Sequence, residues 1–316
     1  KDAGLTEEQQ MLYDAFENYG VKEYLVVEKG DVKVAVTGVF GIDCLACVVN
    51  PPLVFENPVE AVKETVAEIQ EKEDVDMIVC VSHGGTWENE DKSEDEVLAK
   101  EVPALDLIIS GHTHTMLSKA IVHGTTYIGS ADQYSRFLGS MSLTQNADGT
   151  WKLDKYELIP ITEDIPEDEA MQATIDNYLA QIDVNYLSVY GFERTEVLAE
   201  NDVEFCPAES LGHKHEERNL GSIMADSYRY YVESLPDWDG KPVHVAAVPK
   251  GLVRGTYPMG NITVEDVFNS FSLGIGEGVE PLGGGINIGV PHGFEGVTPD
   301  AEQKGRHEEK DRDGGV

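Results

Sequence analysis

Two short apolar runs that end in glycine and histidine constrain this chain most strongly. The first leads into Ser82-His83-Gly84 and the second into Gly111-His112-Thr113-His114. Runs this short and rich in Ile and Val are typical of strands buried on both faces. Their spacing suits one strand–helix–strand unit with a short helix over residues 95–100. Parallel strands would bring all three imidazoles to the carboxyl edge, where open α/β sheets bind ligands.

The three histidines have the side chain and the spacing of metal ligands. His112 and His114 are two residues apart, so in an extended segment both rings point to the same side. Imidazole nitrogen suits zinc, iron, cobalt or nickel, and the neighbouring glycines allow close approach of the backbone. Histidines that cap strand ends through hydrogen bonds are the alternative. Three at paired strand ends favour a metal site, because metal ligands cluster in this way.

Composition excludes several classes of function. The 316 residues carry 59 acidic and 23 basic side chains, a formal charge of −36, which argues against binding nucleic acid or anionic membranes. A hydrophobic content of 41% supports folded cores, and the length allows two domains. No run of eighteen apolar residues predicts a membrane span. Cys44 and Cys47 lie in an apolar stretch and are interpreted as buried free thiols, so cysteine does not decide the compartment.

The first half of the chain shows clear strand and helix signals. They predict a helix over residues 7–18, a hairpin of strands at 24–27 and 32–40, and a helix that Asn57 caps with Pro58 at its first position. Further short strands are predicted at residues 120–122, 125–129, 141–143 and 153–161. We assign all four to a second sheet.

The second half has weaker signals. Pro166 is expected to open a long helix whose apolar side chains line one face. A helical stripe begins at Leu220, and residues 243–248 are predicted to form a buried strand. The first residue is Lys1 rather than Met, and no signal peptide is visible, so we expect a processed start or a piece of a longer reading frame.

Four motifs in this order resemble one known family. The two histidine motifs resemble the later metal motifs of calcineurin-like metallophosphoesterases. Arg218-Asn219-Leu220-Gly221-Ser222 and Gly251-Leu252-Val253-Arg254 are similar to the C-terminal domain of the 5′-nucleotidase family. The resemblance covers about residues 22–280 and looks truncated at both ends.

The resemblance implies an α/β fold class in four parts. Residues 1–165 would be the C-terminal part of a metallophosphoesterase α/β sandwich, and residues 166–191 a connecting helix. Residues 192–280 would be the N-terminal part of an α/β 5′-nucleotidase C-terminal domain. Residues 281–316 are expected to be a disordered tail, since they are rich in glycine and charge.

The resemblance also implies two-metal phosphoester hydrolysis, with zinc, manganese, iron or cobalt as the ions. His83 and His112 would bind one ion and His114 the other. The family takes its carboxylates and its catalytic histidine from Asp-x-His, Gly-Asp and Gly-Asn-His-Glu motifs. This sequence contains no Asp-x-His and no Gly-Asn-His, and its single Gly-Asp, Gly30-Asp31, belongs to the hairpin turn. No catalytic residue is therefore assigned, and we expect at most one weakly bound ion and no useful phosphatase activity.

Three substrate-binding residues follow from the resemblance. Arg254 matches an arginine that holds the phosphate or ribose region, although a surface salt bridge is the alternative. Lys214 stands where the family has a further arginine. Leu273 stands where the family has an aromatic residue that stacks on the base, and leucine cannot stack in this way.

The leading expectation is a nucleotide phosphomonoesterase in the full-length parent. The family resemblance implies an extracellular, cell-surface or periplasmic location. The same scaffold acting on cyclic nucleotides, nucleotide-sugars or a sulfur ester is a second hypothesis. A secreted binding protein without catalysis is a third.

Overall fold

The computed structural model describes residues 5–48, 53–212, 216–236 and 238–272. The chain divides into two compact units, Lys1–Pro166 and Glu167–Val316. The predicted substrate residues Lys214 and Leu273 lie outside the described residues, and so does the predicted tail at residues 281–316. Each unit has a hydrophobic core of its own.

The first unit is built on a six-stranded mixed sheet with strand order β1-β2-β3-β4-β6-β5. Its strands are β1 Tyr24–Lys29, β2 Val32–Phe40, β3 Met77–His83, β4 Leu107–Ser110, β5 Ile121–His123 and β6 Thr126–Gly129. The four central strands run parallel, and β1 and β5 are antiparallel at the two edges. The predicted hairpin and the predicted strand–helix–strand unit are both present. The α/β class is confirmed.

The helices of the first unit are α1 Glu7–Tyr19, α2 Ile42–Ala46, α3 Pro58–Lys72 and α4 Glu94–Glu101. Of these, α3 and α4 pack their buried side chains on one face of the sheet. The helix α3 begins where predicted, because Asn57 Oδ1 accepts hydrogen bonds from the amides of Val59 and Glu60. Its buried side chains are Val62, Val66 and Ile69. Each contributes about 1.5–3 kcal/mol by leaving water, and we expect Ile69→Ala to cost about 2–5 kcal/mol.

A two-stranded antiparallel hairpin packs on the other face of the sheet. It consists of β7 Phe137–Gln145 and β8 Trp151–Pro160. The hairpin was predicted, but β7 is longer at both ends and β8 begins two residues earlier and ends one residue earlier than predicted. Trp151 packs with Met77 and Val79 of β3, and its indole Nε1 donates to the carbonyl of Asp76 at 2.7 Å. Successive residues of β3 therefore face two different cores.

The assignment of β5 and β6 to the second sheet is wrong. The strand β6 pairs parallel with β4, and β5 pairs with β6, so both extend the first sheet. Ile128 of β6 has no exposed surface because it lies in the core beneath α3 and α4. Segments of three or four residues carry too little periodicity to reveal which sheet they join.

Among the described residues, the second unit has fewer strands than the first. It contains α5 Glu169–Asn185, β9 Val197–Asn201, α6 Asn219–Ser234, β10 Gly260–Thr263 and α7 Val264–Ser270, with β9 and β10 antiparallel. Leu220 and Met224 of α6 are buried in its core. The Asn219 side chain donates to the carbonyl of Glu204 and accepts from the amide of Cys206, which ties the start of α6 to the preceding segment.

Two predictions for the second unit are wrong. The described part of the chain shows no strand at residues 243–248, where Val245 is 82% exposed. An extended segment becomes a strand only with a pairing partner, which a local pattern does not reveal. The helix α5 begins at Glu169 rather than at Pro166, since Asp168 caps it by accepting from the amide of Met171. Its predicted apolar face has no buried residue.

Among the described residues, no helix combines the length and the apolarity that crossing a bilayer requires.

Candidate metal centre at the carboxyl edge of the sheet

His83 and His112 lie side by side at the carboxyl edge of the parallel strands. The register pairs Ser82 of β3 with Ser110 of β4, so the residues that follow emerge together. The two ring centroids are 5.1 Å apart with an interplanar angle of 55°. A side chain at Gly111 would place a Cβ 3.3 Å from Nδ1 of His83. Glycine at this position therefore leaves room for the two rings.

The turn after β2 brings a third element, α2, to the same edge. A Cβ on Gly41 would lie 2.5 Å from Cα of Gly84, so the two backbones meet at a distance that only glycine allows. The Glu94 carboxylate accepts hydrogen bonds from the amides of Ile42 and Asp43, at 2.7 and 2.8 Å. These contacts satisfy two amides at the start of α2 and fix the short helix beside His83.

Asp43 and Cys44 of α2 meet the two histidines. Asp43 Oδ2 lies 2.9 Å from Nε2 of His112. Because a carboxylate accepts, Nε2 donates, and in a neutral imidazole Nδ1 is then the acceptor. Donor atoms of Cys44, His83 and His112 all lie within 4.8 Å of one another. Burial raises the pKa of the Cys44 thiol, and neighbouring Cys47, Asp43 and Glu94 add to the rise.

His114 does not join this group. The residues His112 and His114 both have left-handed backbone, with φ of 65° and 53°, so the segment is not extended as predicted. The His114 ring packs instead against Tyr134, with centroids 5.9 Å apart. Asp132, Tyr134 and Ser135 of the facing loop are also left-handed. Each such residue costs on the order of 1–3 kcal/mol, and strain of this kind clusters at functional sites.

Two aromatic side chains flank the paired histidines. Phe40 stacks on His83 with centroids 6.2 Å apart and planes 17° from parallel. Trp87 meets the His112 ring edge-on at 6.4 Å. These rings restrict the orientations open to both imidazoles and make their surroundings less polar.

A buried carboxylate supports the loop behind His83. Asp95 of α4 accepts hydrogen bonds from the Ser82 hydroxyl at 2.5 Å and from the Gly85 amide at 3.1 Å. Burial raises the pKa of Asp95, while the hydrogen bonds from Ser82 and Gly85 lower it in part. The loops after β3 and β4 are joined by the amide of Thr86, which donates to Thr113 Oγ1.

A second group of close donor atoms lies away from this edge. It consists of Glu90, Glu96 and His123, whose donor atoms are within 4.8 Å of one another. His123 Nε2 is 2.8 Å from Glu96 and 3.7 Å from Glu90. Lys100 Nζ already lies 2.5 Å from Glu90, and this contact lowers the pKa of Glu90. A cation of the protein is therefore already paired with one carboxylate of this group.

Arg254 is the predicted substrate residue that the structure describes. Its amide donates to the carbonyl of Ser270 at 2.9 Å, which fixes the backbone against the end of α7. Its Nε is buried, and the described residues offer it no hydrogen-bond partner. No ion pair of Arg254 with a described carboxylate is present, whereas Arg194 and Arg218 both make one.

The sequence alone did not single out Asp43 and Cys44. Both cysteines of the Cys-x-x-Cys were interpreted as buried thiols, but Cys47 is exposed and only Cys44 is buried. The signal was present in Gly41, which directly follows a predicted strand. Recognising it required knowing that β2 is the parallel neighbour of β3, so that both strands end at the same edge.

Comparison with known proteins agrees with this fold. Residues 5–116 match the family model of calcineurin-like phosphoesterases. The trifunctional nucleotide phosphoesterase protein YfkN of Bacillus subtilis is 28% identical over 262 residues, which cover 81% of this chain and 16% of that protein. A 5′-nucleotidase of Vibrio cholerae is 23% identical over 288 residues, which cover 77% of this chain and 48% of that protein.

A solved structure shares the architecture. The 5′-nucleotidase precursor from Thermus thermophilus has a TM-score of 0.62 at 24% identity, over 80% of this chain and 49% of that chain. The chain thus spans about half, or less, of the length of these relatives. The resemblance seen in the sequence motifs is confirmed. Residues 5–116 are thus similar to the calcineurin-like phosphoesterases, a hydrolase family, and 5′-nucleotidases are among the proteins that this chain resembles.

Proposed function

We propose that the whole protein is a metal-dependent hydrolase of nucleotide phosphomonoesters, and that His83 and His112 of this chain are metal ligands. The contact between their rings at the carboxyl edge, 5.1 Å apart, is the observation that carries the proposal. The relatives support the substrate class, because their names are those of a nucleotide phosphoesterase and of 5′-nucleotidases.

The residues at this edge fit a divalent ion. Two imidazoles and a thiol with donor atoms within 4.8 Å offer the nitrogen and sulfur that zinc or cobalt accept. A bound ion would polarise a phosphoryl oxygen and lower the pKa of a bound water. Asp43 holds the His112 ring through Nε2, in the way that carboxylates orient metal-binding histidines.

This chain by itself is proposed to bind one ion and to hydrolyse phosphoesters poorly. Two adjacent dications repel each other strongly unless carboxylates bridge them. The sequence supplies none of the Asp-x-His or Gly-Asn-His residues that the family uses for this purpose. By resemblance, His114 is proposed as a ligand of a second ion, although its ring packs against Tyr134 here.

The second unit is proposed to contribute to substrate binding through Arg254. Its buried Nε has no partner among the described residues, as expected for a guanidinium that awaits an oxyanion. By resemblance, Lys214 is proposed as a point charge for the substrate, and Leu273 is proposed to stand in place of the aromatic residue that stacks on the base. Since leucine gives no stacking, cyclic nucleotides, nucleotide-sugars and sulfur esters are alternative substrates.

Metal titration and phosphate release together test the proposal. Wild type, His112→Ala and, as a control away from the edge, His123→Ala are titrated with zinc and manganese by calorimetry. We expect one zinc ion per chain in wild type and His123→Ala, weaker binding of manganese, and loss of zinc binding in His112→Ala. AMP, 2′,3′-cyclic AMP and a nucleotide-sugar then serve as substrates. Equal binding by all three proteins would contradict the metal centre, and rapid metal-dependent release that His112→Ala abolishes would contradict the proposed poor activity.

The location is proposed to be extracellular, at the cell surface or periplasmic, by resemblance alone. Fractionation of the source cells with an antibody against this chain tests it, and recovery in the cytoplasmic fraction would contradict it.

A further inference from the structure

Cys44 is the buried cysteine at the carboxyl edge, and its sulfur lies with the two imidazoles. The residue is 8% exposed, and its donor atom is within 4.8 Å of nitrogens of both His83 and His112. The other cysteines of this unit are placed differently. Cys47 is exposed, and Cys80 is fully buried within the sheet, where burial raises its pKa to about 12.

The distances are close to those of a tetrahedral site. Zinc–sulfur bonds of about 2.3 Å and zinc–nitrogen bonds of about 2.0–2.1 Å imply donor separations of roughly 3.4–3.6 Å. Since no two donor atoms are more than 4.8 Å apart, at most about 1.2–1.4 Å remains to be closed, which small rotations of the side chains achieve. Three protein ligands would leave a fourth position for water or substrate, as in catalytic zinc sites.

Contacts within the protein fix the backbone around Cys44. Gly41 brings the turn into contact with Gly84, and Glu94 holds two amides of α2. Asp43 anchors the same helix to His112. These three contacts together hold the Cys44 thiol next to the two imidazoles.

We propose that Cys44 is a thiolate ligand of the ion held by His83 and His112, which makes this a centre of mixed sulfur and nitrogen ligands. The inference rests on the metal centre proposed above. On binding, the metal–sulfur bond replaces the sulfur–hydrogen bond and the proton passes to water. Because thiolate is a soft ligand, the site selects zinc, cobalt or cadmium over magnesium or manganese.

Cobalt(II) titration of the folded chain tests the inference, because thiolate coordination gives a charge-transfer band in the near ultraviolet. We expect the band in wild type and in Cys47→Ser, and its loss in Cys44→Ser with a fall in cobalt affinity of at least about 10–100-fold. Circular dichroism of each variant checks folding. A Cys47→Ser/Cys206→Ser double variant, which keeps Cys44 and Cys80, should retain the band.

The outcomes separate the two proposals. Cobalt bound tightly by wild type without a thiolate band would overturn the role of Cys44 and leave the histidine centre intact. No cobalt binding by wild type would overturn the centre itself. A band that persists in Cys44→Ser but disappears in Cys47→Ser would assign the ligand to Cys47 and contradict the inference.

Discussion

The first unit contains two groups of close donor atoms, and they differ in backbone and in charge. Cys44, His83 and His112 lie at or just after the carboxyl ends of three parallel strands, and the backbone at His112 is left-handed. The second group combines Glu96 of the helix α4, His123 of the edge strand β5, and Glu90 from the segment before α4. The second group includes Lys100 against Glu90, whereas the described contacts place no Lys or Arg on the first.

We interpret this difference as one between the proposed metal site and a structural contact. In the second group, His123 satisfies the buried carboxylate of Glu96, and Lys100 pairs with Glu90. In the first group, a thiol and two imidazoles meet with no Lys or Arg of the described residues paired to them, and the backbone at His112 is left-handed. The proximity of the donor atoms alone does not distinguish the two groups as metal sites, because both meet the same limit of 4.8 Å.

The largest expected effect is the loss of metal binding in His83→Ala. Removing a ligand should lower zinc affinity by more than the roughly 10–100-fold that loss of an outer partner costs. Competition with a chromophoric chelator measures it. His123→Ala is the matched control, since it removes an imidazole from the other group, and equal losses in both variants would remove the distinction between them.

The next effect is expected in Gly41→Ala. The added Cβ would lie 2.5 Å from Cα of Gly84 and 2.7 Å from Glu94 Oε2, so α2 must shift. We expect a loss of about 1–3 kcal/mol in the free energy of unfolding and a weaker cobalt–thiolate band. Gly38→Ala serves as control, because its Cβ would meet Val81 O at an ordinary 3.5 Å. An unchanged band in Gly41→Ala would show that the turn does not position Cys44.

A smaller effect, on stability alone, is expected in His123→Ala. The variant leaves the carboxylate of Glu96, which is 7% exposed, without its imidazole partner. We expect a loss of about 1–3 kcal/mol in urea unfolding, with zinc affinity unchanged. A variant as stable as wild type, or one that loses zinc, would contradict the structural role of this group.

The smallest effect is expected in Asp95→Asn, whose free energy of unfolding should differ from that of wild type by an amount that depends on pH. Burial raises the folded-state pKa of Asp95, so its contribution to stability is fully present below the unfolded value of about 3.9 and is lost as pH rises through the folded value. Asparagine does not titrate. The stability of Asp95→Asn relative to wild type should therefore improve between about pH 4 and pH 7. Urea unfolding of both proteins across this range checks the sign, and a relative decline would show that hydrogen bonding outweighs burial.

Local patterns were enough to predict much of the fold. Asn57 and Pro58 marked the start of α3, and Lys29-Gly30-Asp31 marked the first hairpin. These local patterns do not reveal which strands pair when the strands are far apart in the chain. The sheet that β6 joins depends on β4, which lies well before it in the chain, and residues 243–248 lack a partner strand in the part of the chain that is described.

The same limit explains the site. His83 and His112 were predicted at one edge because each follows an apolar run and the two runs pair in parallel. Asp43 and Cys44 were not predicted, because their place depends on β2 lying next to β3. His114 was predicted from residue spacing in an extended segment, and the left-handed backbone at two histidines changes that geometry.

Zinc-edge X-ray absorption of the zinc-loaded chain tests the central claim most directly. With one zinc per chain, we predict one sulfur neighbour at about 2.3 Å and nitrogen neighbours at about 2.0–2.1 Å with the outer-shell scattering of imidazole. The sulfur shell should disappear in Cys44→Ser and persist in Cys47→Ser. A zinc environment of light atoms with neither sulfur nor imidazole scattering would contradict a metal centre formed by His83, His112 and Cys44.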